Sequence, residues 1–299
     1  MRRYTGEWYT LGASFLWATS FVAVKVGLEG WDPLWFLFWR ILVAALLLLP
    51  LFWRRLRWRD YFGAPAVWGL GFFCALGYLF QYIGMVETTA SAAAFLINFG
   101  IVFVALFSYL LLKEPFDPVK ILGILLAVVG AFLLTTGMSF SGLSETSLQG
   151  NILVLLGGLF WAVYTVGNKW VLQHKEVRVV PLTALVLLIA AVWILPPALM
   201  WGNQPEAPGV QEILIIGYMI VFCTAAPFVL WTHGLRKVQP TVSAAILLME
   251  PVFATLLAYA LLGERFSTVE FTGAVMIFLA IVMVSLGNQL LPRRVWNRG

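Results

Sequence analysis

The chain has 299 residues, of which 62% are apolar and 11% charged, whereas a soluble domain carries roughly 25% charged residues. No water-soluble fold hides that much apolar surface. Runs of the roughly 20 apolar residues that cross a hydrocarbon core recur from end to end and leave no stretch long enough for a soluble domain. The formal charge of +5, which would suggest nucleic acid in a soluble protein, is expected here from an excess of Lys and Arg on one face of a membrane. Uniform β-barrel alternation is absent and the runs are rich in Leu, Ala and Gly, so the expected class is an all-α integral membrane protein.

Met1-Arg2-Arg3 is basic like the start of a signal peptide, but the apolar stretch that follows is span-length, contains Lys25 and lacks a small-residue cleavage site. It is expected to stay as helix 1, at about 8–28. Helices 2 to 5 are expected at 33–53, 64–86, 89–112 and 118–137, and helices 6 to 10 at 150–171, 181–201, 212–235, 240–262 and 267–289. Turn chemistry falls between them at Asp32-Pro33, Glu114-Pro115, Asp117-Pro118 and Gln239-Pro240. The two longest connections are Gly137 to Gln149 and Gly202 to Gln211. The chain accordingly divides into a first five-helix unit at 1–137, a linker at 138–149 and a second unit at 150–299 that ends in a tail.

Alternate connections fall on two sides. One side collects Arg2, Arg3, the basic run from Arg54 to Arg59, Lys113, Lys120, Lys169, Lys175, Arg178, Arg236, Lys237, Arg293, Arg294 and Arg298. The other collects the acids Glu29, Asp32, Glu87, Glu145, Glu206, Glu212, Glu264 and Glu270. By the positive-inside rule both termini are expected in the cytoplasm, with the protein in the inner (plasma) membrane. Cys74 and Cys223 both lie in apolar spans and read as small core residues.

A shift of 144 residues lays Leu16-Trp17-Ala18 on Phe160-Trp161-Ala162 and Lys25 on Lys169. A shift of 150 lays Glu114 on Glu264, Tyr109 on Tyr259, Gly84 on Gly234 and Gly123 on Gly273. Helices 1 and 6 are therefore counterparts, as are 4 and 9. Because each unit has five spans, the second enters the membrane from the opposite side, so the repeats are inverted about an axis in the membrane plane. Substrate is expected near that axis.

Trp17-Ala18-Thr19-Ser20-Phe21-Val22-Ala23-Val24-Lys25, Arg40 after Pro33, Leu112-Lys113-Glu114, Met249-Glu250-Pro251-Val252 and Leu262-Gly263-Glu264 together resemble the drug/metabolite transporter (DMT) superfamily, in particular its EamA-type ten-helix exporters. The resemblance covers essentially the whole chain. It implies ten helices around a central cavity lined chiefly by helices 1, 3, 4, 6, 8 and 9. It also implies a secondary active transporter that exports amino acids or related small metabolites by alternating access. Proton coupling and uncoupled facilitation both stay open. An intramembrane enzyme would need a paired nucleophile and base or a metal set, and neither Gly-x-Ser-x-Gly nor His-Glu-x-x-His occurs. No catalytic residue, metal site or cofactor is therefore expected. A channel would need charged rings or a carbonyl filter, which the sequence does not offer. Expected partners are a small-molecule substrate, the lipid bilayer and protons, and nothing in the sequence selects between monomer and homodimer.

Glu250 stands near the middle of helix 9, where an ionised side chain costs roughly 2.5 kcal/mol or more. It is the candidate for proton coupling, the alternative being that it satisfies backbone groups loosened by Pro251. Trp17 and Trp161 are repeat mates in mid-span, Tyr78, Gln81 and Tyr82 share one face of helix 3, and Tyr164 and Asn168 extend the stripe begun by Trp161. With Asn98 in helix 4 and Trp231 in helix 8, these are the candidate substrate contacts, suited to an apolar or aromatic ligand with a few hydrogen-bonding groups. Helix packing is the alternative for each of them. Trp31, Trp35, Trp53, Trp58, Trp201 and Trp296 are set aside as interfacial anchors. Lys25 and Arg40 are expected to snorkel toward the outer interface, with steering of an anionic or carboxylate-bearing substrate as the alternative, and Lys169 joins Lys25 as a candidate gate.

Overall fold

Helix α1 runs over Thr5–Gly27 and α2 over Pro33–Leu48, where Asp32 caps the first turn by accepting from Leu34 N and Trp35 N. The computed structural model describes residues 4–27, 31–51, 61, 64–138, 147–203, 209–262 and 267–290. Pro65 opens α3 (Pro65–Val86), and Thr89 caps α4, which consists of α4a (Ala90–Asn98) and α4b (Gly100–Leu112). Asp117 with Pro118 starts α5 (Pro118–Thr136), which ends on Gly137 in the left-handed conformation at φ 57°.

The second half repeats the pattern. Ser147 caps α6 (Leu148–His174), and α7 covers Val179–Trp201. Helix α8 comprises Val210–Ile220, a π turn at Val221–Ala225, and Ala226–Lys237. Helix α9 comprises α9a (Pro240–Leu247) and α9b (Met249–Leu262), and α10 is Thr268–Leu290. Nine of these helices are long and apolar enough to cross a membrane by length and composition. Helix α1, with 23 residues, takes the tenth position. The chain is thus an all-helical membrane protein with the expected spans, displaced by only a few residues at their ends.

Two prolines account for irregularities that hydropathy does not show. Pro227 has no N–H to offer the carbonyl of Cys223, and around it the ladder slips by one residue, with Ala226 N bonding Val221 O. Pro251 likewise leaves Leu247 O without its helical donor, and Ser14 Oγ of α1 donates to that oxygen at 3.5 Å. The break in α4 falls at Phe99, the repeat counterpart of Met249.

Packing follows the repeat. Helix α1 pairs with α8 as α6 pairs with α3, α1 pairs with α9 as α6 pairs with α4, and the mates α2 and α7, and α5 and α10, pack on each other. Exchanging each helix for its mate therefore reproduces the packing, as two inverted five-helix repeats require. Glycines permit the closest approaches. A Cβ on Gly273 of α10 would stand 2.5 Å from Leu134 N and 2.7 Å from Gly130 O of α5. Trp35, expected at an interface, is instead buried against Phe38, with ring centroids 5.8 Å apart.

The symmetry breaks in one respect. At the end that carries Lys113, Lys120 and Gln239, α4b packs on α9a, whereas their mates α4a and α9b make no comparable contact at the other end. Residues 94–99 of α4 remain half-buried there. Among the described residues the halves are packed together at the first end and lack the corresponding contact at the second. The basic run at 54–59, Glu264 and Arg265, most of the 138–149 linker, and the basic residues at 2–3 and 293–298 lie outside the described residues.

Candidate functional site

The inverted repeat builds an aromatic cluster at the centre of the bundle from matched positions. Trp17 and Trp161 are mates, and so are Tyr78 and Phe228, and Gln81 and Trp231. Tyr78 meets Trp161 edge-on at 4.7 Å and Phe228 at 6.3 Å, and Trp17 meets Phe228 at 5.4 Å and Trp231 at 6.4 Å. Tyr164 closes the ring between Trp161, at 5.7 Å, and Trp231, at 5.5 Å. The polar edges have partners. Trp161 Nε1 donates to Gln81 Oε1 at 3.1 Å, and Trp231 Nε1 donates to Ser243 Oγ at 3.0 Å.

The cluster has two tiers. Tyr78, Tyr164, Phe228 and Trp231 are buried, while Trp17, Gln81, Tyr82 and Trp161 stay half-buried with Glu250 and Asn98. Of the sequence-derived contacts, the structure therefore gathers Trp17, Tyr78, Gln81, Tyr82, Trp161, Tyr164 and Trp231, but gives only part of them surface that a ligand could touch. Asn168, 1% exposed, lies below Tyr164 and donates to its hydroxyl at 3.5 Å, with its own Oδ1 unpartnered. Asn98 turns its amide to Ala94 O of its own helix at 2.7 Å. Phe228 was not foreseen. One phenylalanine in an apolar helix carries no signal, although the 150-residue shift places it on Tyr78.

Arg40 departs furthest from expectation. It does not snorkel to an interface but is 6% exposed inside the bundle. Its Nη2 donates to Cys223 O at 2.7 Å, its Nε to Thr224 Oγ1 at 2.6 Å, and its Nη1 to the Tyr82 hydroxyl at 3.4 Å. Cys223 O is the carbonyl that Pro227 deprives of a helical donor. Arg40 thus ties α2 to the π turn of α8 and presents the edge of its guanidinium to Tyr82. Among the described residues three of its five N–H donors are engaged, which leaves two.

Glu250 opens α9b just past the break at Leu248. It is half-buried and lies within electrostatic reach of Arg40, Tyr78 and Cys223. Among the described residues no hydrogen bond or ion pair reaches its carboxylate. A guanidinium and a carboxyl group from different halves thus lie within electrostatic reach of each other and of Tyr78, the carboxyl without a direct partner among the described residues.

Lys169, 3% exposed, donates through Nζ to Leu235 O at 2.9 Å, Arg236 O at 3.3 Å and Val238 O at 2.7 Å. It caps the carbonyl end of α8, where a cation is favoured by the helix dipole. The side chain of its mate Lys25 lies outside the described residues. Cys74 and Cys223 are buried free thiols.

Ten helices in two inverted halves around a polar-aromatic centre are the architecture of a membrane transporter. The chain belongs to the EamA-like transporter family, which it matches over residues 4–136 and again over 148–286. It is 30% identical over 260 residues to an uncharacterized transporter of Archaeoglobus fulgidus, a match spanning 84% of this chain and 86% of the relative. It is 26% identical over 289 residues to the uncharacterized inner membrane transporter YedA of Escherichia coli, spanning 93% and 90%. A crystal structure superposes with a TM-score of 0.80 over 97% of this chain and 100% of the other at 17% identity, which shows the shared fold.

Proposed function

We propose that this transporter moves small zwitterionic metabolites, amino acids foremost, out of the cell, and that Glu250 couples the movement to protons. The reading is carried by Arg40, buried beside Tyr82 with donors to spare, and Glu250, from the other half, within its electrostatic reach. A carboxylate can take the free donors of Arg40, an ammonium can take Glu250, and an apolar side chain can lie on Trp17 and Trp161. The two units, 1–137 and 150–299, would rock against each other about the cluster, with the basic connections on the cytoplasmic side of the plasma membrane.

Proteoliposomes loaded with a panel of radiolabelled amino acids test this. Uphill accumulation of at least one of them driven by a pH gradient, and its loss in Glu250→Gln with downhill exchange retained, is the expected result. Equilibration that ignores the gradient would leave an uncoupled facilitator, and the absence of any amino-acid flux would remove the substrate assignment.

A further inference from the structure

At the packed end a second polar group joins the two halves, and the central site does not use it. Lys120 and Glu114 are each 1% exposed and Gln239 is 7% exposed. Lys120 Nζ donates to Glu114 Oε1 at 2.5 Å, Gln239 Oε1 at 2.7 Å and Pro115 O at 3.4 Å. Glu114 and Lys120 belong to the first half, in the connection after α4b and the first turn of α5. Gln239 belongs to the second half and stands immediately before α9a. Glu114 also lies beside the first turn of α9a, at Thr241, so an acid from one half sits near the positive end of a helix from the other. Lys169 holds the carbonyl at Val238, next to Gln239, and so keeps this connection in place.

Burial pushes the Glu114 carboxyl above the ordinary range, against the pull of Lys120. The ion pair itself lies within the first half and survives if the halves separate. What separation breaks is the bond to Gln239, which leaves Lys120 short of an acceptor until water reaches it, and the placement of Glu114 beside the first turn of α9a. Buried networks of this kind resist partial separation. The arrangement is also one-sided. The 150-residue shift places Glu264 on Glu114 and Glu270 on Lys120, so the repeat carries two acids in sequence where this end has an ion pair.

We propose that Glu114, Lys120 and Gln239 form a lock that holds the resting transporter closed at this end, with Gln239 as the latch between the halves. The proposal rests on the alternating-access reading only in requiring that this end can open, and its test needs neither substrate nor gradient. Ala245 in α9a, 1% exposed at the packed seam, is replaced in an Ala245→Cys variant on a Cys74→Ala, Cys223→Ala background, and its rate of modification by a maleimide reports opening. Gln239→Ala and Gln239→Leu both remove the acceptor, while Leu retains volume and the ion pair stays intact in each. Both are expected to speed modification about five-fold, the effect of one lost hydrogen bond of about 1 kcal/mol. Modification at the unsubstituted rate in either variant, or acceleration by Ala alone, which would report lost packing, overturns the lock. So does a thiol that remains unreactive in every variant while reacting in unfolded protein. Failure here leaves the amino-acid flux assay untouched, and failure of that assay leaves this one readable.

Discussion

Arg40 shows how a single residue can be misread from its neighbours in sequence. Seven positions into α2, beside an outer interface in the linear pattern, a long cation is expected to reach for water. In the fold it turns inward because Pro227, on a helix 187 positions later in the sequence, strips Cys223 O of its donor. A bond from a charged donor to a buried carbonyl contributes about 1.5–3 kcal/mol, and the orphaned oxygen costs a similar amount if the donor goes. Arg40→Met is therefore expected to lower stability by about 3 kcal/mol, seen as a marked fall in melting temperature in detergent. Arg40→Lys should recover only part of this, because a point charge cannot serve Cys223, Thr224 and Tyr82 together. Ser14→Ala, which removes the longer 3.5 Å bond to Leu247 O, should cost less than about 1 kcal/mol on the same scale. The sequence announced both orphan carbonyls through Pro227 and Pro251 but could not say which side chain would answer them.

At the scale of helices, the ends were legible because they are local. Asp32-Pro33, Asp117-Pro118 and Gln239-Pro240 each mark a helix start where the structure has one. The breaks at Phe99 and Leu248 were not legible, since both residues keep right-handed helical torsions and interrupt the ladder by a single position. Helix contacts are set by glycine, and Gly273 is the sharpest instance. A Cβ there meets the backbone of α5, which cannot rotate away. Gly273→Val should force α10 off α5 at a cost of about 1–3 kcal/mol by overpacking, measured as a loss of thermal stability, whereas Gly69→Ala, with open space around the site, should leave it unchanged. Lys169 belongs to this scale as well. Expected from the repeat to act as a gate, it caps the carbonyl end of α8, and Lys169→Met should weaken that helix end and raise amide exchange in 235–238 before it alters anything at the aromatic cluster.

For the molecule as a whole, inversion of the halves makes a topological prediction. Lys175 and Glu87 are exposed in connections on opposite faces. Lys175→Cys should react with an impermeant maleimide only in inside-out vesicles and Glu87→Cys only in right-side-out ones, and reaction of both from one side would reject the orientation argued from the charges. The number of spans, their limits, the five-helix repeat and the family were all determined by the sequence itself, because each depends on composition within one stretch of chain or on matching one stretch to another. Helix insertion responds to the hydropathy of its own 20 or so residues and little else. Only the tertiary structure decided which aromatic rings are buried and which stay half-open, that Arg40 faces inward, that Phe228 completes the cluster, and that Lys120 of one half bonds Gln239 of the other. Those facts turn on contacts between side chains scores of residues apart, and in a bundle where lipid offers no hydrophobic preference between helices, it is close packing and the pairing of stranded polar groups that choose them.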